Sequence, residues 1–481
     1  MQGRSSALFV QLRQRPQLDA RAAAEHPGEV WTPVAISDLA NAQRHVALQA
    51  TTGPYRSRPL RWQPEESSCV PLEPLNTGVP AVALCPGYHG HAIARSLGRL
   101  GVPVYGVHSD PGSPAARSRY WRRNLFWDLR ATSPTESLDR LLELARSIGS
   151  RPILLATDDE SCLFVADHAV ALRRAFSFPE QPDGLARSLS NKQSLYSMCK
   201  RYSIPTPETL FPQSRADVKR FAEGLTFPVM LKGIDTKALR RRTGVAMVVV
   251  NDASTLLERY DRLETPGSPN LMIQEYVPGG SEMVWMFNGY FDRESRCLFG
   301  LTGKKIRQYP AHTGVTSLGV CLTNEEVAKQ TREFMTVIGY RGILDIGYKY
   351  DLRTRQYKLL DVNPRIGTTF RLFVDSNGTD VARALYLDLT GQPVATGRLR
   401  EGRKWIVENF DLIASPAYLR DGSFTALSWV RSFAGVREGA WFAAGDPRPF
   451  LSMCWRSLQW GLGRLGLGSA NFGTASDSPE R

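Results

Sequence analysis

The stretch that leaves this chain fewest choices runs from Tyr348 to Arg365. It reads Tyr348-Lys349-Tyr350-Asp351, a polar turn, then Tyr357-Lys358-Leu359-Leu360-Asp361-Val362-Asn363-Pro364-Arg365. Its pattern predicts a strand, a turn and a second strand. Side chains alternate across a strand, so Asp361 and Asn363 share one face. Pro364 has no amide hydrogen for the ladder, so the strand stops there and Arg365 follows in irregular backbone. A carboxylate, an amide oxygen and a guanidinium delivered by one strand end suit a divalent cation carrying phosphates. Magnesium takes hard oxygen ligands beside phosphate oxygens, and the planar fork of arginine matches phosphate. Taken alone, the same hairpin is equally a solvated polar strand end.

At 481 residues the chain is long enough for two or three domains. Its net charge of +13 is carried mostly by arginine, and lysine is scarce. A basic surface suits nucleotides, acidic substrates or an anionic membrane face. No arginine-rich tail or aromatic platform accompanies it, so nucleic acid is not an expected partner. The seven cysteines are scattered without a C-x-x-C spacing, which argues against a disulfide framework or a zinc site. The start of the chain lacks a signal-peptide pattern, and no apolar run approaches the ~18 residues of a transmembrane segment. A cytoplasmic protein is expected.

Residues 1–78, rich in Arg, Gln, Pro and Ser, read as a disordered or linker extension. Order begins with the apolar run 81–84, then Gly87-Tyr88-His89-Gly90, an amphipathic helix ending at Gly101, and strands at 102–107 and 153–156. Alternating strands and helices imply a parallel sheet over 79–190. From 191 to 395 the pattern becomes α+β, with strands at 227–232, 245–250, 271–277, 283–287 and 297–300, and a helix at 324–338. Residues 396–481 read as a helical extension with a disordered tail from Gly468. Within it, 451–465 predicts an amphipathic helix with Trp455, Leu458, Leu462 and Leu465 on one side. Docking of that helix against the chain itself ranks ahead of peripheral membrane contact, and a homodimer stays open.

Two lysines are well placed for phosphate: Lys192 opens a helix, and Lys232 ends the apolar strand Phe227-Pro228-Val229-Met230-Leu231. Between Lys232 and Val245 lies a segment with Gly233 and Gly244 at its ends and four cations inside. It reads as a hairpin loop, either folded over a triphosphate or simply solvated. Gln274-Glu275-Tyr276-Val277-Pro278-Gly279-Gly280, followed by Glu282, offers backbone groups for an adenine edge and carboxylates for ribose hydroxyls. The cluster Lys304-Lys305-Ile306-Arg307-Gln308-Tyr309-Pro310, with His312, is rich in donors for an anionic substrate or is a charged loop.

Lys192 with Ile204-Pro205-Thr206-Pro207, Phe227 to Lys232, Gln274 to Gly280, and Asp361 to Arg365 follow one another in an order that resembles the ATP-grasp superfamily. More narrowly, the chain is similar to its carboxylate–amine ligase branch, with D-aspartate ligase-like proteins. The segment from Ala81 to about Leu189 resembles the Rossmann-like domain that precedes that fold. The resemblance implies a two-lobed α+β fold with ATP between the lobes. It implies Lys192 and Lys232 on the phosphates, Glu275, Tyr276 and Val277 along the adenine, and Glu282 on the ribose. Asp361 and Asn363 would hold magnesium, with Arg365 beside the transferred phosphoryl group. Arg365, Lys232 and Arg307 are the candidate catalytic cations. The implied chemistry activates a carboxylate as an acyl phosphate, which an amine then attacks to give an amide, ADP and phosphate. Where relatives place a metal-binding glutamate on the first strand, this chain has Gly347. Asp345, two residues earlier and on the same face, is the candidate third ligand.

Two other readings compete. Gly87-Tyr88-His89-Gly90 opens a helix after a strand, with Asp110 about twenty residues on, an incomplete dinucleotide-binding pattern of an NAD-dependent oxidoreductase. Gly347 favours a non-catalytic ATP-binding or scaffold protein with a degenerate site.

Overall fold

In a computed structural model that describes residues 75–84, 87–265, 267–312, 314–395 and 397–464, the first apolar run forms β1 (Ala81–Leu84), buried throughout. The expectations for 1–74 and for the tail from Gly468 lie outside the described residues. Helix α1 (Tyr88–Gly98) follows, then β2 (Val104–His108), β3 (Trp121–Phe126), α2 (Pro134–Ile148) and β4 (Ile153–Ala156). The strands lie in the order β3-β2-β1-β4, all parallel. Strand β3 escapes the sequence reading because Arg122 and Arg123 interrupt its apolar pattern; it is an edge strand, where exposed charge is tolerated. Helix α3 (Asp159–Asp167) starts directly after β4, and Asp158 caps it by accepting from the Ser161 amide. The turn at Gly87 and the acidic run 158–160 therefore sit together at the carboxyl ends of neighbouring strands, where open α/β sheets bind ligands.

Helix α4 (Lys192–Arg201) is capped by Asn191, whose side chain accepts from the amides of Gln193 and Ser194. A small sheet then assembles from β5 (Thr209–Leu210), α5 (Arg215–Ala222), β6 (Val229–Gly233), α6 (Thr236–Thr243), β7 (Met247–Val250), α7 (Ala253–Leu263) and β8 (Leu271–Glu275). Its order is β5-β8-β6-β7, antiparallel throughout. Val218, Leu239 and Leu256 from the helices meet Val229, Leu231 and Ile273 in one core. Alternation turns Lys232 to the opposite face of that sheet.

The large sheet is built from β9 (Val284–Phe291), β10 (Cys297–Tyr309), β11 (Val315–Cys321), α8 (Glu325–Val337), β12 (Gly342–Asp351), β13 (Gln356–Asn363), α9 (Val381–Leu389), β14 (Lys404–Ile406), α10 (Glu408–Arg420), α11 (Ala426–Ser432), β15 (Val436–Gly439) and α12 (Arg448–Arg464). The strand order is β13-β12-β9-β10-β11-β14-β15. Helices α4 and α8 cover one face through Leu195, Val327 and Phe334. On the other face a continuous core joins Ile93 and Leu97 of α1 to Tyr290, Val381 and Trp405. Parallel domain and large sheet thus share one core, tied further by Ser96 Oγ donating to Asp380 at 2.6 Å.

Three expectations are corrected. The segment between Gly233 and Gly244 is not an open loop but helix α6, because Asp235 caps it by accepting from the Ala238 amide and Gly244 closes it at φ 74°. The 396–481 segment is not only helical: β14 and β15 extend the large sheet, strands of three and four residues too short to show periodicity. Helix α12 forms and docks on the chain as expected, but by another face: Pro449 and Met453 are buried, Phe450 packs on the core and Arg456 binds Asp110 at 2.7 Å, while Trp455 and Leu458 are 60% and 53% exposed.

Candidate active site

The hairpin β12–β13 pairs Asp345 with Asn363 and Gly347 with Asp361. This register shows what occupies the space beside Gly347. A Cβ built at Gly347 would lie 2.5 Å from Asp361 Oδ1, so the space beside that position belongs to the Asp361 carboxylate. The second carboxylate comes from Asp345, one pair further along. The Asn363 amide donates to Asp345 Oδ2 at 3.3 Å and Asp361 Oδ2 at 3.4 Å, so all three side chains converge. Burial holds Asp345 up at about 6; Arg365 and Lys305 pull it down and Asp361 pushes it up. A half-buried and an exposed carboxylate sharing one amide make a donor set that fits magnesium, which keeps waters and takes phosphate oxygens. Among the described residues there is no group of three or more His, Cys, Asp or Glu side chains placed for a metal.

Arg365 donates through Nη2 to Asn363 Oδ1 at 3.3 Å and through Nε to Asp159 Oδ1 at 2.7 Å. It therefore links the hairpin end to the first turn of α3. At the start of α4, Lys192 Nζ donates to the carbonyls of Gly233 at 2.8 Å and Ile234 at 2.9 Å and to the Thr236 hydroxyl. It pins the turn between β6 and α6. Lys232 donates no hydrogen bond to the described residues. Burial lowers both lysines to about 8; Lys192 also depresses Lys232, and the charge of Asp361 partly restores each. Lys232 on the small sheet and Lys192 at the start of α4 thus both lie within reach of the charge of Asp361 on the large sheet.

The hinge between the lobes is Glu275-Tyr276-Val277. The Glu275 carboxylate points away from the metal side: it accepts from Lys358 at 2.7 Å and from Arg353 at 2.6 Å. Its amide is committed as well, donating to the Glu208 carbonyl at 2.7 Å. Tyr276 lies under the Lys349 ammonium, 5.6 Å from the ring centre, and Val277 is buried. Glu282 is exposed and accepts from the Gly280 amide at 2.9 Å.

Arg307 is a correction. Expected to face an anionic substrate, it is fully buried, with Nε and Nη2 on the Asp411 carboxylate at 2.7 and 2.8 Å and Nη1 on Ser432 at 2.6 Å. The cause is a β-bulge: the register of β10 against β11 shifts on both sides of Arg307. Lys305, two residues before, takes the cleft side instead. It donates to the Gly314 carbonyl at 3.2 Å, and burial lowers it against the pull of Asp361 and Asp345.

The sequence reading also passed over Tyr88 and His89. Burial raises Tyr88 to about 12, with the Thr368 hydroxyl, Arg365 and Asp345 as further influences. His89 contacts the Thr157 carbonyl at 2.9 Å and is lowered to about 4 by burial and by Arg365. The glycine turn thus lies near Arg365 and Asp345, and its signal was the same motif that suggested a dinucleotide. The dinucleotide reading loses its acidic partner, since Asp110 is bound to Arg456 at 2.7 Å.

A last feature closes the cleft. Lys237 on α6 reaches Glu160 at 2.9 Å and Asp159 at 3.8 Å, joining the small lobe to α3.

No family model matches the chain. It is 25% identical over 261 residues to the D-aspartate ligase of Enterococcus faecium (strain Aus0004), covering 51% of this chain and 61% of that protein. The chain thus spans about six tenths of the length of the ligase it matches. Among solved structures, a biotin carboxylase–beta-gamma-ATP complex from Campylobacter jejuni superposes with a TM-score of 0.54 at 13% identity, covering 68% of this chain and 75% of that one. The L-amino acid ligase from Bacillus licheniformis gives 0.50 at 13% identity, over 69% and 79%. At such identities the likeness is one of fold.

Proposed function

We propose that this chain, which has the ATP-grasp fold behind a Rossmann-like domain, is an ADP-forming carboxylate–amine ligase. The observation that carries the reading is the convergence of Asp345, Asp361, Asn363 and Arg365 with Lys192, Lys232 and Lys305 at the end of one strand. The relatives named above are ligases or bind ATP by their names, and support the same chemistry. In this reading 79–190 is the preceding domain and 191–395 the grasp fold, with β14 and β15 completing its large sheet.

ATP would lie with its adenine on the hinge backbone of Glu275, Tyr276 and Val277, its ribose near Glu282 and its phosphates toward Lys192 and Lys232. Asp345, Asp361 and Asn363 would hold magnesium, which supplies charge neutralisation on the phosphate oxygens when bound. A carboxylate oxygen of the acid attacks the γ-phosphorus and ADP leaves. The amine nitrogen then attacks the acyl carbon, phosphate leaves, and the nitrogen gives up a proton. Arg365 and Lys305 stand where negative charge spreads in the first step. Helix α6, latched by Lys237, shuts out water that would hydrolyse the acyl phosphate. No side chain needs to become covalently linked.

Incubating the protein with ATP, magnesium and a metabolite extract is expected to yield ADP and a product whose mass is an acid plus an amine less one water. Asp361→Ala is expected to lower that turnover by about a hundredfold or more with the fold retained. Undiminished ADP release by the variant removes Asp361 from the reaction. Gly347 favours a second reading, an ATP-binding protein without turnover; ATP binding with no ADP from any mixture would establish it.

A further inference from the structure

Sixteen large apolar side chains stand exposed among the described residues, and nine of them fall within residues 412–458. None lines the cleft. On α12, Leu451, Trp455 and Leu458 recur at the spacing of one helix face and are 61%, 60% and 53% exposed. On α10, Leu412 and Leu419 do the same on the side away from the packed Asp411, Ala414 and Tyr418. The two helices are neighbours: Glu408 of α10 accepts from the Phe442 amide at 2.7 Å, and the exposed Phe442 ring meets Phe450 of α12 edge-on at 5.4 Å. Exposed Phe442 is thus tied to both helices. Exposed apolar side chains concentrated on two linked helices mark an interaction site.

Charge says what covers it. Between residues 408 and 459, Arg420, Arg431, Arg437 and Arg448 are exposed, against one exposed carboxylate, Asp421. The other acids of the segment are engaged: Glu408 accepts from the Trp441 and Phe442 amides, Asp411 binds Arg307, Glu438 binds Arg371 and Arg403, and Asp446 binds Arg95. With Arg420 ending α10 and Arg448 opening α12, an apolar face with tryptophan carries exposed arginine on both helices and matches an anionic lipid surface. A second copy of the chain would bring the same arginines and another +13 charge against it.

We propose that α10, Phe442 and α12 form a peripheral docking face for anionic membranes, with the apolar side chains entering the headgroup boundary and the arginines meeting lipid phosphates. No helix among the described residues is long and apolar enough to cross a membrane, so the contact is with the surface. This proposal stands apart from the ligase reading and does not depend on turnover.

The full chain is sedimented with vesicles of phosphatidylcholine alone and of equimolar phosphatidylcholine and phosphatidylglycerol, at low and high salt. About tenfold more protein is expected to pellet with the anionic vesicles, and less at high salt. The triple variant Leu451→Glu, Trp455→Glu, Leu458→Glu, checked by its thermal melt, is expected to stay in solution. Arg448→Glu alone weakens pelleting without changing the melt. The proposal is overturned by equal recovery with both vesicles, or by pelleting that the folded triple variant retains. It is equally overturned if wild type stays off the vesicles but self-associates, and the triple variant does not. That outcome assigns the face to a second copy.

Discussion

Lys192 and Lys232 are the residues on which electrostatics makes the sharpest statement. Each is an ammonium lowered to about 8 by burial, facing a cleft where ATP would carry several negative charges. Phosphate beside an ammonium favours the charged form and drives its pKa back up. At pH 8, where part of each lysine is neutral in the free protein, ATP binding should therefore take up protons. At pH 6, where both are already charged, these lysines should contribute none. Titration calorimetry in two buffers of different ionisation enthalpy reads the difference directly. Equal heats in both buffers at pH 8 would show that the lysines do not meet the phosphates. Asp361, Asn363 and the two lysines were legible in the sequence because strand alternation and position in a lysine-poor chain are local signals. The partnership of Asp345 with Asn363 was not, since it depends on the register between two strands.

At the level of elements, two irregularities changed what the residues do. The bulge in β10 sends Arg307 into a buried ion pair with Asp411 and leaves Lys305 in the cleft. Alternation would place both on one face, so no reading of the pattern alone separates them. The consequence is a contrast. Arg307→Ala strands the buried Asp411 carboxylate and is expected to cost about 3–5 kcal/mol of stability, seen as a large fall in melting temperature. Lys305→Ala should melt near wild type yet lose turnover. If the two variants behaved alike, the division of roles between them would fail. Helix α6 is the second case: an aspartate cap and a C-terminal glycine turned a basic loop into a helix that carries Lys237 to Glu160. That pair is largely exposed and contributes at most about 1 kcal/mol to stability. Lys237→Ala should thus leave the melt unchanged while raising the KM for ATP several-fold. A shifted melt with unchanged KM would make the bridge a structural strut and not a latch.

Across the whole molecule, one core runs from α1 through the large sheet to Trp405 and Trp441, so the parallel domain and the large lobe are fixed against each other. The small sheet keeps its own core, which leaves it the part free to close. The parallel start and the α+β body followed from periodicity and the order of motifs. The strands β14 and β15 did not, because elements this short acquire their structure from the sheet edge they join. The site sits where the fixed part and the closing part meet, with Arg365 bound to Asp159 on one side and Lys192 facing Asp361 on the other. A ligase of the kind proposed transfers a phosphoryl group to a carboxylate at that point. The decisive measurement uses a metabolite extract whose carboxylic acids have been exchanged with oxygen-18 water, incubated with the protein, ATP and magnesium. Phosphate released with ADP should carry one heavy oxygen per turnover, taken from the activated acid. Phosphate released without label would contradict the account and leave a simple hydrolysis of ATP.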